Sequence, residues 1–592
     1  MIELDIANIL YKLFKNKFNV EINNSSLLPT KTKKDFTGDF TIIVFPFLRH
    51  TKYKSPEELA NFLGNYLKSE LLYITDYNVV KGFLNLSIDS TYWTTFIKNF
   101  SFNKQNKSKS KKILIEFSSP NTNKPLHLGH IRNNLLGVSL SKILEYNGYE
   151  LHRVSLLNNR GIHIMKTLYS WEHFFDFITP EKAGKKGDHL VGDFYVKYEQ
   201  ELKKELENHI KNGLTKEEAL EHSKIFSETK KLLRKWEHGN KTVLKNWEIL
   251  NKWVEEGFNE TYKELGVEFD QLYYESDTYL LGKDIVLKEL SKGNVVLNED
   301  NSISIDLTDA GLDEKILLRS DGTSVYITQD IGTAVQRYKE HSFDKHIYVV
   351  GNEQIYHFKV LKEVLKRFGY DWADKIEHFS YGMVELPEGK MKSREGKVVD
   401  ADDLIQEMYE TARKKSEELG KLEDLTEDER QSIIKTIAMG AMKYFILKVD
   451  PMKNMMFNPQ ESIEFEGNTG PFIQYTYTRI RSLIRKANEE GLQNILEFDY
   501  KNDLTNKELE LIKEVYSFNN IIQESAKNLN PSSIANYVYN IAKLFNSFYQ
   551  ETPILKVEDL DTKKFRLKLS KDVSEIIKVS LKLLGIDVPE RM

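Results

Sequence analysis

The chain has 592 residues, of which 40% are hydrophobic and 29% are charged, and its formal net charge is −5. This balance is typical of globular proteins and not of disordered or membrane proteins, and the length predicts three or four domains. The sequence contains no cysteine, which excludes disulfides, thiolate metal sites and cysteine nucleophiles. The small negative charge excludes a polycation that coats nucleic acid, so any such contact needs a local basic patch.

Nothing in the sequence indicates a membrane segment or a secretory signal. No apolar run approaches the roughly 18 residues that span a bilayer. Near the N-terminus, Glu3 and Asp5 stand where a signal peptide carries lysines ahead of its apolar core. We therefore expect a cytoplasmic protein without membrane contact.

The first hundred or so residues predict a small α/β domain of ordinary size. Helical spacing and β-type runs alternate in it, over residues 7–18, 40–47, 55–72 and 79–88. Residues 103–112 hold no apolar side chain and cannot join a core, which indicates a boundary between domains. We assign residues 1–108 to this N-terminal domain.

A strand, a loop, a helix and a second strand follow this boundary in close succession. Residues 111–117 and 149–157 are short apolar runs of the buried-strand type. Between them, Leu136, Leu140 and Leu144 recur at helical spacing. This order predicts one βαβ unit of a parallel sheet.

A helical insertion at about residues 170–265 divides the sheet, because this stretch is rich in Glu, Lys and Trp at helical spacing. Strand and helix alternate again over residues 346–386, so we assign residues 109–424 to one α/β domain. From residue 425 to residue 592 the pattern predicts an α-helical bundle. Its apolar stripes are Ile473, Tyr477, Ile480, Ile484 and Ala487, and Ile534, Val538, Ile541, Phe545 and Phe548.

Two histidines lie where the loop after the first sheet strand meets its helix. In parallel α/β sheets this loop contacts the phosphates of a nucleotide ligand. His127 and His130 are three residues apart at a helix start, so both rings can face one side and suit an anionic phosphorus centre. Gly129, between them, has no β-carbon to obstruct the approach of an adenine ring.

Two other interpretations of this histidine pair fit less well. Helical zinc sites have histidines at i and i+4 with a glutamate between them, and this stretch has neither, so we expect no protein-bound metal. An isolated H-x-x-H pair is more often a capping or solvent-facing pair. The preceding strand, the glycine and the helix start together favour phosphate chemistry.

The stretch FSSPNTNKPLHLGHIRNNLLG, residues 117–137, resembles the extended HIGH signature of class I aminoacyl-tRNA synthetases, in the form typical of the arginyl-tRNA synthetase family. Further stretches are similar to that family in order and spacing, at residues 320–335, 348–372, 389–405 and 467–487. The resemblance implies an α/β multidomain fold with a Rossmann-like parallel-sheet catalytic domain. It also implies a small α/β N-terminal domain that contacts tRNA and an all-α C-terminal anticodon-binding bundle.

The reaction that this resemblance implies has two steps. Arginine and MgATP give arginyl-adenylate and pyrophosphate, and the 2′-hydroxyl of the terminal adenosine of tRNA(Arg) then takes the arginyl group. The arginine carboxylate attacks phosphorus directly, so the protein supplies orientation and charge stabilisation. The implied partners are ATP with Mg²⁺, L-arginine and tRNA(Arg), and the family implies a monomer.

The resemblance also implies a role for individual residues. Those that serve the ATP phosphates and adenosine are His127, Gly129, His130, Asn352, His357 and Lys390. Those that face the guanidinium of the substrate are Glu116, Tyr326 and Asp330, since its flat fork of donors is best met by carboxylates. Those that serve the amino and carboxyl end of arginine are Ser119, Asn121 and Gln354. Those that contact tRNA are Tyr475, Arg479, Lys486 and Met592.

The stretch at residues 389–397 is similar to the mobile KMSKS loop but departs from it. The second lysine of that pattern stands three places after the first, and here, counted from Lys390, this place is Ser393. Lys392 lies one residue too early, and neighbours in an extended loop point to opposite sides. Lys124 matches the lysine that arginyl enzymes without the loop lysine are thought to use. The sequence leaves open whether Lys124 or Lys392 serves the phosphates.

Two other functions remain open from the sequence. A small-molecule nucleotidyltransferase of the same HxGH superfamily transfers an adenylyl group without tRNA, but it leaves the helical C-terminal region unexplained. A non-catalytic RNA-binding paralogue should have lost its phosphate-facing residues, whereas His127, His130 and Lys390 are all present.

Overall fold

The computed structural model describes residues 2–33, 35–102, 111–387, 399–418, 425–500 and 502–592. The chain divides into two compact units. The first comprises residues 1–102, 484–516 and 544–573, and the second comprises residues 103–483, 517–543 and 574–592. Among the described helices, none combines the length and the apolar character that a bilayer span requires.

An antiparallel four-stranded sheet forms the centre of residues 2–102, with strand order β1-β2-β4-β3. The elements of this region are α1 (Ile2–Phe18), β1 (Thr30–Lys31), β2 (Phe40–Ile43), α2 (Phe45–Leu48), α3 (Pro56–Glu70), β3 (Ile74–Val80), β4 (Phe83–Ile88) and α4 (Ser90–Asn99). A short 3₁₀ helix covers Asn24–Leu27. The mixture of helices and strands agrees with the α/β pattern of the sequence.

Two of the β-type runs in this region differ from the strands that form. The run at residues 40–47 ends as a strand at Ile43, and α2 begins at Phe45. Pro46 explains the change, because it has no N–H for a strand ladder but suits the first turn of a helix. The run at residues 79–88 is divided by Lys81 and Gly82, whose φ angles of 47° and 76° suit a two-residue hairpin turn.

The second unit begins with a strand, a helix and a strand, followed by a series of helices. These elements are β5 (Lys112–Glu116), α5 (Leu128–Tyr146), β6 (Glu150–Leu157), α6 (Ile162–Phe174), α7 (Pro180–Ala183), α8 (Gly187–Lys211), α9 (Lys216–His222), α10 (Lys224–Glu237) and α11 (Lys241–Leu265). Asn240 is the N-cap of α11, and its side chain accepts a hydrogen bond from the Val243 N–H; Gly266, in the left-handed conformation, is the C-cap.

Strands and helices then alternate up to residue 418. These elements are β7 (Gln271–Tyr274), α12 (Glu275–Thr278), α13 (Leu281–Ser291), β8 (Val296–Leu297), β9 (Ile303–Ile305), β10 (Lys315–Leu318), α14 (Tyr326–His341), β11 (Lys345–Gly351), α15 (Ile355–Arg367), β12 (Ile376–Tyr381), β13 (Val384–Glu385) and α16 (Ala401–Glu418). Strands β8 to β10 form a small antiparallel sheet that the sequence analysis did not predict.

The main sheet is parallel, with strand order β12-β11-β5-β6-β7. The chain moves from β5 to β6 on one side and returns through β11 on the other side of β5. The strand order therefore reverses next to β5, and in such sheets ligands bind beyond the carboxyl ends of the strands at this point. The loop that leaves β5 leads to His127.

Residues 425–592 are mainly helical. The elements are α17 (Glu427–Leu447), β14 (Met455–Met456), α18 (Pro459–Ser462), α19 (Gly470–Glu489), α20 (Asn506–Lys527), α21 (Pro531–Glu551) and α22 (Leu560–Leu583). The two-residue strand β14 pairs in parallel with β13, and it is an element that the helical prediction for this region did not include.

Candidate functional site

The turn between β5 and α5 brings His127 and His130 together. His127 is the N-cap residue of α5, and its Nδ1 accepts a hydrogen bond from the Gly129 N–H at 3.1 Å. The Nδ1 of His130 accepts one from the His127 N–H at 3.2 Å, and the two ring centroids are 3.9 Å apart. These hydrogen bonds assign each ring proton to Nε2, which is then able to donate to a phosphate oxygen.

Burial keeps both imidazoles neutral. Burial and the nearby Lys124 ammonium lower the pKa of His127 to about 4. The pKa of His130 lies well below its ordinary value, because of burial first and then of His127 and Lys124. Both rings are therefore neutral donors at neutral pH, and the positive charge near them is that of Lys124.

Gly129 has a structural reason to be glycine. A β-carbon at this position would lie 3.0 Å from Cε1 of His127, which is tighter than ordinary van der Waals contact. A β-carbon here would require the His127 ring to shift by a few tenths of an ångström. The expected contact of Gly129 with adenine stays a prediction.

Residues 399–401 lie alongside the histidine turn and are called the 399–401 strip. They pair in antiparallel fashion with residues 126–128, and the Leu128 N–H donates to the Val399 carbonyl at 2.9 Å. The Gly129 N–H is already bonded to the His127 ring, so the first two backbone donors of α5 are both occupied. The imidazole Nε2–H groups, rather than these backbone donors, are left for a phosphate.

The stretch that is similar to the KMSKS loop, residues 389–397, lies outside the described residues. The 399–401 strip follows this stretch in the chain and is described. Lys390, Lys392 and Ser393 belong to this stretch. Their roles stay predictions.

Glu116 ends β5 and is held by an internal cation. Its side chain is buried, and its Oε2 accepts a hydrogen bond from Nη1 of Arg337. Its Oε1 accepts one from the Ser119 hydroxyl at 2.9 Å. The guanidinium of Arg337 also lies over the ring of Tyr273, 4.6 Å from its centroid. The charge of Glu116 is therefore paired inside the protein, and its contact with the substrate guanidinium stays a prediction.

The loop after β5 has an unusual backbone. Ser118 and Ser119 have φ angles of 75° and 46°, in a region that non-glycine residues rarely adopt. The Ser118 N–H donates to the Asn133 side chain at 2.6 Å, which helps to hold this conformation. Asn121 is exposed and forms a parallel bridge with Asn158. Such conformations are concentrated at functional sites, where the surrounding structure compensates for the strain.

Helices α14 and α15 bring two of the expected site residues into direct contact. The carboxylate of Asp330, on α14, lies 2.6 Å from Nε2 of His357, on α15. Tyr326, the first residue of α14, is 79% exposed. The 3₁₀ helix Asn352–Gln354 directly precedes α15, and Gln354 is exposed. Asp330, expected at the substrate guanidinium, and His357, expected at the adenosine, are therefore in contact with each other.

Two buried arginines of this unit were not among the residues singled out in the sequence. Arg132, on α5, donates from Nη1 to the Met383 carbonyl at 2.7 Å and from Nη2 to the Lys453 carbonyl at 2.8 Å. Arg337 binds Glu116. Both lie on the buried faces of their helices, α5 and α14. A buried charge indicates a partner inside the protein. The sequence pattern does not identify that partner.

One cluster has the composition of a metal site. Asp188, His189 and Asp402 bring ligand-type atoms within 4.8 Å of one another. The ammonium of Lys186 lies among them, 2.6 Å from Oδ2 of Asp402 and 3.4 Å from Oδ2 of Asp188. This cation already balances the carboxylates, so the donor set does not favour a metal ion.

The residues expected to contact tRNA lie on α19 and at the end of the chain. Tyr475 and Arg479 are half-buried, and the guanidinium of Arg479 lies 4.9 Å from the Tyr475 ring centroid. Lys486 is exposed, and Met592 is half-buried. Contact of these residues with tRNA stays a prediction.

Two family models match this chain. Residues 95–459 match the model of tRNA synthetases class I (R), catalytic domain, and residues 473–592 match the DALR anticodon binding domain. The arginine–tRNA ligase of Parabacteroides distasonis is 50% identical over 599 residues, with 100% of both chains covered. The chain belongs to the arginyl-tRNA synthetase family. The arginine–tRNA ligase of Flavobacterium psychrophilum is likewise 50% identical over 95% of each chain.

Solved structures of arginyl-tRNA synthetases share the fold. The Thermus thermophilus enzyme matches with a TM-score of 0.80 at 23% identity, with 100% of both chains covered. The Plasmodium falciparum enzyme matches with a TM-score of 0.78 at 20% identity, covering 100% of this chain and 99% of that one. At these identities the matches support the fold alone. The resemblance drawn from residues 117–137 and the predicted fold class are both confirmed.

Proposed function

We propose that this chain activates L-arginine with MgATP and transfers the arginyl group to the 3′-terminal adenosine of tRNA(Arg), for protein synthesis. Membership of the arginyl-tRNA synthetase family supports the reaction. The observation that carries the proposal in the structure is the pair of neutral imidazoles at the switch point of the parallel sheet. In this proposal the chain acts as a monomer in the cytoplasm.

In the first step, the carboxylate of arginine attacks the α-phosphorus of ATP, and the bond between the α-phosphorus and the bridging oxygen breaks to release pyrophosphate. Negative charge grows on the phosphate oxygens as the new bond forms. The Nε2–H groups of His127 and His130 suit these oxygens as preorganised donors. Lys124 and Lys390 would supply positive charge, and Mg²⁺ enters with ATP as part of the substrate.

Recognition of arginine needs fixed carboxylates at the guanidinium. A guanidinium presents parallel donors, which a carboxylate meets with two charge-assisted hydrogen bonds. Asp330 has the most accessible carboxylate of the proposed set, with a side chain 36% exposed, whereas Glu116 is buried against Arg337. We propose that Asp330 makes the main ionic contact, with Glu116 and Tyr326 beside it. Ser119, Asn121 and Gln354 are proposed for the amino and carboxyl end.

Replacing Asp330 with asparagine should raise the KM for arginine about 10- to 100-fold, because a hydrogen bond to a charged group contributes about 1.5 to 3 kcal/mol. The KM for ATP should stay near the wild-type value. Steady-state kinetics of both substrates measure the split. Asp309→Asn, which changes an exposed carboxylate elsewhere in the unit, serves as the control. An unchanged arginine KM in Asp330→Asn would move the guanidinium contact to another residue.

Replacing Lys124 with alanine should lower the single-turnover rate of arginyl-adenylate formation by one to three orders of magnitude, about 1.4 to 4 kcal/mol of transition-state stabilisation. Lys124 lies close enough to both histidines to lower their pKa values. Adding Ser393→Lys should recover part of the loss. Lys392→Ala is the matched comparison. A near-normal single-turnover rate in Lys124→Ala together with a strongly reduced rate in Lys392→Ala would assign the role to Lys392.

Exchange of labelled pyrophosphate into ATP distinguishes the proposal from a small-molecule nucleotidyltransferase. With tRNA(Arg) present, the exchange should depend on arginine and should not be supported by lysine, which offers only a point charge. Exchange that needs no arginine, or that follows a different small acceptor, would favour the nucleotidyltransferase.

A further inference from the structure

The 399–401 strip is attached to helices α8 and α11 through the residue that follows it. Asp402 accepts hydrogen bonds from the Lys186 ammonium at 2.6 Å and from the Thr261 hydroxyl at 2.8 Å. The Nε2 of His189 lies 2.8 Å from the same carboxylate. Lys186, His189, Thr261 and Asp402 together are called the Asp402 anchor.

The anchor is a charged network in a half-buried position. Burial alone would raise the pKa of Asp402, but hydrogen bonds from His189 and Lys186 outweigh it and hold this pKa below its ordinary range. Burial lowers the pKa of His189, but the hydrogen bond to Asp402 and the charge of Asp400 bring it above its ordinary value. Removing Lys186 or Asp402 therefore leaves charge on the remaining members less well balanced.

The backbone of the 399–401 strip is hydrogen-bonded to the histidine turn. The Ala401 N–H donates to the Leu126 carbonyl at 3.0 Å, and the Val399 carbonyl accepts from the Leu128 N–H at 2.9 Å. These two hydrogen bonds are made by the residues immediately before and after His127, which is the N-cap of α5. A shift of the strip would therefore move the backbone of His127.

Helix α8 also packs against the loop that carries Lys124. A β-carbon at Gly192, on α8, would lie 2.9 Å from Cδ of Pro125, so the helix backbone and the loop are in close contact. Helix α8 therefore contacts the histidine turn by two routes. It packs directly against Pro125, just before the turn, and it holds Asp402, which fixes the 399–401 strip.

We propose that the Asp402 anchor positions the histidine turn: by fixing the 399–401 strip to α8 and α11, it sets where His127 and His130 present their Nε2–H groups. This inference rests on the proposed role of the two histidines in phosphate chemistry. The anchor residues are positioning residues, because they act through the strip. A preorganised donor stabilises the transition state only where it is held at the developing charge, so a displaced turn lowers kcat with little change in the KM for arginine.

The test compares anchor variants with a neighbouring ion pair in arginine-dependent pyrophosphate exchange. Lys186→Met and Asp402→Asn should each lower kcat about 10- to 100-fold, the size expected when reacting groups are misplaced by about 1 Å. The KM for arginine should stay near the wild-type value. Lys186→Arg keeps the cation and should restore most of the rate. Lys185→Met breaks an exposed ion pair with Asp193, one position away in sequence, and should behave as wild type.

Thermal unfolding of the same preparations separates positioning from folding. Thr261→Val removes a single hydroxyl and should show the same kcat-selective loss to a smaller degree, so it carries the test if Lys186→Met does not fold. Three results would overturn the anchor: a wild-type kcat in folded Lys186→Met, an arginine KM that rises in Lys186→Met by as large a factor as kcat falls, or a fall in kcat in Lys185→Met equal to that in Lys186→Met. Wild-type protein without arginine-dependent exchange would instead contradict the proposed function.

Discussion

Alanine in place of His130 should slow the formation of arginyl-adenylate about 10²- to 10³-fold, the usual cost of losing one preorganised donor at a developing oxyanion. Alanine in place of His127 should have an effect of similar size. Each ring uses Nδ1 inside the turn and is left with Nε2–H for the phosphate. Single-turnover rates at saturating ATP and arginine measure the effect, and the affinity for tRNA should remain close to that of the wild type.

His127 has a second role that the control has to separate. As the N-cap of α5 it accepts the Gly129 N–H, and losing a cap costs about 0.5 to 2 kcal/mol of stability. Asparagine is a good cap but lacks the Nε2–H, so His127→Asn should restore the melting temperature without restoring the rate. Near-normal rates in both His127→Ala and His130→Ala would remove the histidines from the mechanism.

Replacing Arg337 with methionine should lower the free energy of unfolding of the second unit by about 3 to 5 kcal/mol, the cost of leaving one member of a buried ion pair without its partner. Both side chains are buried, so solvent cannot compensate for the lost cation. The midpoint of urea-induced unfolding, followed by tryptophan fluorescence, measures the loss.

Adding Glu116→Gln to Arg337→Met removes the uncompensated charge and should recover a large part of the stability. Lys252→Met breaks an ion pair on α11 that is exposed, with Glu256, and should change stability by less than about 1 kcal/mol. A loss below about 1 kcal/mol in Arg337→Met would mean that Glu116 does not depend on this cation. In that case its charge would be free for the substrate guanidinium.

Local patterns in the sequence were sufficient to predict β5, α5 and β6 of the second unit. Strands β5 and β6 coincide with short apolar runs, and α5 follows the helical recurrence of Leu136, Leu140 and Leu144. These signals depend on neighbours within a few residues, and so does the turn of His127 and His130. The structure adds the direction of each hydrogen bond in that turn, which periodicity does not contain.

Contacts between distant parts of the chain could not be predicted in the same way. Arg337, on α14, meets Glu116 across a separation of 221 residues in the chain, and Lys186 meets Asp402 across 216 residues. Spacing along the sequence does not determine which polar side chains meet over such separations. The small sheet of β8 to β10 was missed for a different reason, since strands of two to four residues are too short to show a period.

The decisive experiment charges purified tRNA with each of the twenty amino acids. Arginine should become esterified to tRNA(Arg) when ATP and Mg²⁺ are present, and the other amino acids should give only background. The His130→Ala variant should charge far more slowly than the wild type under the same conditions. Charging with a different amino acid, or ATP-dependent adenylylation of a small acceptor without any charged tRNA, would contradict the proposed function.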